Sequence, residues 1–117
     1  MIPLSVCIAV SDETLWQEIQ SAVHVLPVRI AFEQAGVGEL APFLKKIERQ
    51  RPDAVLLDMG SLPCDLPLLV EAITSTPPAP FVIVLHTEGR PDMILGALRA
   101  GAKEFLFPPL KPTLEST

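Results

Sequence analysis

Hydrophobic positions along the chain alternate between two patterns. Residues 4–10 (LSVCIAV) form a continuous apolar run, which predicts a strand buried on both faces. Similar runs recur at 28–32 (VRIAF), 54–58 (AVLLD), 81–85 (FVIVL) and 104–107 (EFLF). Between them the apolar residues take helical spacing: Leu15, Ile19 and Val23 with Trp16 beside them, then Leu40, Phe43, Leu44 and Ile47, then Leu66, Leu69, Val70 and Ile73. The charges of KKIERQ fall on the outer face of the second of these helices. Residues 91–100 (PDMILGALRA) predict a fourth helix. Pro91 suits its first turn, where the missing N–H is not needed, and Gly101 stops it. Ser11 or Asp12 can cap the first helix through a side-chain oxygen.

Strand and helix thus alternate five times, with the fifth helix truncated or absent. Such alternation predicts an α/β fold of three layers, a doubly wound five-stranded parallel sheet with right-handed crossovers. At 117 residues the economical arrangement is the flavodoxin-like strand order 2-1-3-4-5. The chain reads as a single domain over residues 1–117, an excised N-terminal part of a longer protein.

Composition narrows the function classes. A net charge of −5 argues against direct nucleic-acid binding, which draws on a basic surface. No apolar run approaches the roughly 18 residues of a membrane span, and the N-terminus lacks the basic start of a signal peptide. Cys7 and Cys64 form no CxxC and no zinc spacing, so they read as reduced thiols, with Cys7 packed in a strand. These features together predict a cytoplasmic protein. The 13 prolines punctuate elements: Pro27, Pro52 and Pro80 lie at or just before apolar runs.

In the predicted order strands 1 and 3 are neighbours, and ligands bind beyond their carboxyl ends. Asp12 and Glu13 follow strand 1, Asp58 ends strand 3 and His86 follows strand 4. Carboxylates meeting there suit a hard cation, since Mg²⁺ takes one or two carboxylates plus waters. Helix capping by Asp12 and a solvated Asp58 at a strand tip account for the same residues equally well.

The stretches SVCIAVSDE, RPDAVLLDMGS, FVIVLHTEG and LRAGAKEFLFPPL resemble successive landmarks of the response-regulator receiver domain, the CheY-like fold, over nearly the whole chain. The resemblance implies Asp58 as candidate phosphoacceptor. It also implies a metal set of Asp12, Asp58 and the backbone carbonyl of Gly60, with weak Mg²⁺ binding because Ser11 replaces the first acid of the pair. His86 stands at the family's Ser/Thr position, and Thr87, one residue late, is expected to point elsewhere. Phe105 matches the switch aromatic, and Pro108 occupies the position of the family's lysine. Pro63 comes one residue later than the family's proline after the phosphoacceptor. Ser11, His86, Phe105 and Pro108 are therefore degenerate or altered switch positions, and their loss of charge and hydroxyl should weaken phosphorylation and any response to it.

LRAGAKEFLFPPL is most similar to the atypical N-terminal receiver of CpaE/TadZ-type pilus assembly proteins. That resemblance implies an interaction and localisation module, attached to a MinD/ParA-like ATPase domain in the same chain. The residues given contain no GK[ST] phosphate loop. Three classes stand: a non-enzymatic pseudo-receiver binding protein partners, a phosphoaccepting receiver of a two-component phosphorelay, and a flavodoxin-like small-molecule binder. The last has little support, because SDET after strand 1 is acidic and lacks the glycines of a phosphate loop. His24 and His86 have no Ser or Cys nucleophile at motif spacing, so no catalytic triad is expected. Ile94, Leu98, Phe105 and Phe107 are expected to lose cover without a fifth helix, giving a homodimer through helix 4 and strand 5.

Overall fold

The structure is a computed structural model. It describes residues 4–23, 28–59, 62, 64–77, 79–87 and 89–106. His24, Gly60, Pro63, Phe107 and Pro108 lie outside the described residues, as does the tail to Thr117.

Among the described residues, nine elements follow one another: β1 (Leu4–Ala9), α1 (Glu13–Val23), β2 (Val28–Gln34), α2 (Leu40–Gln50), β3 (Ala54–Asp58), α3 (Leu66–Thr74), β4 (Phe81–Leu85), α4 (Pro91–Arg99) and β5 (Glu104–Leu106). All paired strands are parallel, in the order β2-β1-β3-β4-β5. The doubly wound flavodoxin-like arrangement expected from the alternation is the one observed.

Alternation along each strand sorts the core into two layers. Val6, Ile8 and Val10 join Leu15 and Ile19 of α1 on one face, with Leu56, Ile83, Leu85 and Leu106. Cys7 and Ala9 join Phe43 and Ile47 of α2, Leu66, Leu69, Val70 and Ile73 of α3, and Ala97 of α4 on the other. β3 is buried from end to end, which explains why its sequence is apolar without alternation. Cys7 is wholly enclosed, and burial pushes its thiol up to about 12, against a smaller opposing pull from the charge of Lys46.

β2 runs two residues beyond the predicted strand, to Gln34. Its last two positions are polar for reasons of place. Glu33 is exposed on the sheet's edge strand. The Gln34 amide donates to the carbonyls of Gly36 and Val37, at 2.8 and 3.0 Å, while its oxygen accepts from Lys46 Nζ at 2.8 Å. The pairing with β1 steps from Ile30 to Phe32, leaving Ala31 as an extra residue. After α4, Gly101 adopts φ +106°, and a Cβ there would meet Val70 Cγ1 at 3.1 Å. The backbone therefore favours glycine, and a side chain there would also have to push Val70 of α3 aside by a few tenths of an ångström.

Candidate functional site

Asp58 is the last residue of β3, and only 4% of its surface is exposed. A carboxylate so buried requires donors. The turn from β1 into α1 supplies two, because β1 lies beside β3. The backbone N–H of Asp12 donates to Asp58 Oδ2 at 2.8 Å, and the Ser11 hydroxyl donates to the same oxygen at 3.1 Å. Such bonds to a charged acceptor are stronger than neutral ones.

Asp12 also starts α1. Its Oδ1 accepts from the Leu15 N–H at 2.9 Å, and its carbonyl accepts from the Trp16 N–H at 2.9 Å. The capping role foreseen for this position falls to Asp12, while the Ser11 hydroxyl turns to Asp58. One tetrapeptide, SDET, thereby both begins the helix and anchors the strand-tip carboxylate.

Ser11, Asp12, Leu15, Asp58, His86 and Thr87 line a cavity of about 190 Å³. His86 is half-buried, and its backbone N–H donates to the Leu106 carbonyl at 3.1 Å, fixing the tip of β4 against β5. Thr87, one residue beyond His86, is exposed and lies at the edge of the same cavity. β4 ends at Leu85, and the chain bends at Thr87.

No Lys or Arg is among the described residues lining this cavity. Among the described residues, no three His, Cys, Asp or Glu side chains gather in a way that could hold a metal. The two carboxylates present, with water, do fit the modest protein ligation that Mg²⁺ accepts. Gly60 and Pro108, the remaining positions assigned to this site, lie outside the described residues.

At the expected dimer face, Phe105 also requires correction. It is 8% exposed and packs in the layer with Val70, Val84, Ala97 and Ala102. It points toward α3 and α4, whereas its neighbour Leu106 faces the α1 layer, so it offers nothing to a partner. Ile94 is half-buried against the core. Leu98 is 45% exposed, and so at 48% is Leu95, which sequence reasoning passed over. The two are three residues apart and form one strip on α4. Leu95 was legible: it lies off the buried face of Met93, Ile94 and Ala97.

No protein-family model matches the chain, and comparison with curated protein sequences gives no match. Solved structures do match its fold. A pilus assembly-related protein from Burkholderia pseudomallei is 17% identical with a TM-score of 0.71, over 97% of this chain and 87% of that one. The crystal structure of the CheX–CheY–BeF3–Mg²⁺ complex from Borrelia burgdorferi holds a chain 20% identical with a TM-score of 0.76, over 98% and 86%. The signal receiver domain of the response regulator NarL from Mycobacterium tuberculosis is 22% identical with a TM-score of 0.72, over 99% and 97%. At these identities the likeness is one of fold: the chain has the CheY-like receiver fold. Among the described residues, no helix is long and apolar enough to cross a membrane.

Proposed function

We propose that this chain is an atypical receiver-type signalling domain that acts by binding protein partners, and that it performs no catalysis of its own. The observation that carries this reading is the lining of the Asp58 cavity. Ser11, Asp12, Asp58, His86 and Thr87 line it, without a Lys or Arg among the described lining residues. A phosphoryl group on Asp58 would add negative charge beside Asp12 with little to offset it. The Ser11 hydroxyl instead anchors the unmodified carboxylate.

A pilus-assembly setting is supported by the likeness to the pilus assembly-related protein of Burkholderia pseudomallei and by the sequence of the β5 end. An ATPase domain in the same chain and a cytoplasmic location belong to that setting. A homodimer through Leu95 and Leu98 of α4 is supported by their exposure. Leu98→Glu should abolish it in sedimentation experiments, and a species that stays monomeric at every concentration would remove it.

The second reading is a phosphoaccepting receiver, favoured by a buried strand-tip Asp58 beside Asp12. Asp12 and Asp58 would hold Mg²⁺, which supplies charge stabilisation during phosphoryl transfer. Incubation with acetyl phosphate and Mg²⁺, followed by mass spectrometry of the intact chain, separates the two. The first reading expects only a minor fraction modified. Stoichiometric, Mg²⁺-dependent modification that disappears in Asp58→Asn establishes the second.

A further inference from the structure

A groove of about 380 Å³ lies between the first turns of α1 and the carboxyl end of edge strand β2. Glu13 and Trp16, three residues apart, present one face of α1 to it. Glu33 faces them from β2. Buried Val10 contributes apolar surface. Gln20, one turn beyond Trp16, donates to Glu33 Oε2 at 3.4 Å, and Gln17 donates to Glu13 Oε1 at 3.5 Å. Both donors are neutral amides, so they position the carboxylates without cancelling their charge. No Lys or Arg is among the described residues lining the groove.

We propose that this groove binds an arginine side chain of a partner protein. A guanidinium is planar and cationic, so it stacks on an aromatic face and also pairs with carboxylates through parallel N–H bonds. Trp16 supplies an aromatic ring to the lining, and Glu13 and Glu33 supply carboxylates from α1 and β2. An acidic ligand would be repelled, and a purely apolar one would dehydrate two charges without replacing their bonds. The groove is larger than one guanidinium, and Glu13, Glu33 and Ala35 are exposed at its rim. A polypeptide can therefore cross the opening with its arginine inserted, whereas a small free cation would remain bathed in water. The overall charge of −5 favours the approach of a basic segment. The inference does not depend on chemistry at Asp58.

Trp16 is the sole tryptophan, so the groove reports its own occupancy. The full chain is titrated at low salt with an acetylated, amidated Gly-Arg-Gly-Arg-Gly peptide and with its Lys and Glu counterparts, following Trp16 emission. The arginine peptide should give a saturable change, the lysine peptide should bind at least threefold more weakly, and the glutamate peptide should not bind. Glu13→Gln/Glu33→Gln should weaken the arginine peptide at least fivefold while circular dichroism stays unchanged. Should the double variant lose its fold, Glu33→Gln alone, at an exposed position, should still weaken binding at least twofold. The proposal is overturned by the absence of a saturable change, by equal binding of the arginine peptide and either counterpart, or by unaltered affinity in the folded glutamine variants.

Discussion

Cys7 and Asp58 sit in neighbouring strands and are almost equally hidden, at 0% and 4% exposure. Their surroundings differ completely. Cys7 lies mid-strand among apolar side chains of the α2–α3 layer, and burial drives its thiol to about 12, far from the reactive thiolate. Asp58 lies at the carboxyl tip of its strand, where the β1–α1 turn delivers two donors to one oxygen and a cavity opens beside it. In a parallel sheet, burial silences a group in the middle of a strand. At the tip, loop backbones supply the hydrogen bonds that let a charge persist.

The sharpest way to break this contrast is to place a carboxylate in the silent position. Cys7→Asp should cost more than about 4 kcal/mol, because no donor set awaits it. Urea unfolding monitored by Trp16 measures this, and a loss below about 1 kcal/mol would mean that the centre of β1 is as accommodating as the tip of β3.

The alkaline limb of stability gives a smaller effect. In the unfolded chain the Cys7 thiol releases its proton near 9.0, whereas in the folded chain it holds the proton to about 12. Between those values the unfolded state binds fewer protons, so stability is fully present below pH 9 and falls as pH rises. The loss should reach about 1.4 kcal/mol at pH 10. The chain has no tyrosine to titrate in this range. Cys7→Ala, though less stable at neutral pH, should show a shallower decline from pH 8 to 10, and an identical slope would remove the thiol as its cause.

The smallest change concerns the anchored group. Ser11→Ala deletes the hydroxyl donor to Asp58 Oδ2 and should cost about 1 kcal/mol, while Ser11→Thr should retain most of it. Equal stability of both variants with the parent would show that the Ser11 hydroxyl adds nothing to the anchoring of Asp58.

Strand order and the helical core faces were legible because burial writes itself as apolar spacing: Leu66, Leu69, Val70 and Ile73 all lie in the core. Asp58 and Asp12 could be brought together from topology alone. What escaped were features decided by local backbone paths. Glu33 and Gln34 look like loop residues, yet they end an edge strand whose polar side chains face solvent and cap a turn. Phe105 was placed at an interface because a missing fifth helix would uncover apolar residues, yet it lies in the layer packed against α3 and α4, and the sequence of a strand does not label which face a residue takes.

Asp53 clasps the foot of β1 from just before β3. The Ser5 N–H donates to Asp53 Oδ2 at 2.9 Å, and the Asp53 N–H returns a bond to the Ser5 carbonyl at 2.7 Å. These partners are 48 positions apart, so for a folding chain the clasp is a ring closure. Its length-dependent entropy cost is about 3 kcal/mol, recovered only when β1 and β3 zip together. A ribosome that has released β1, α1 and β2 but not Ala54 holds a chain in which β1 still lacks one of its two neighbours. In the life of a newly made molecule, the emergence of Asp53 and the strand behind it is the moment at which the sheet can close on both sides of β1.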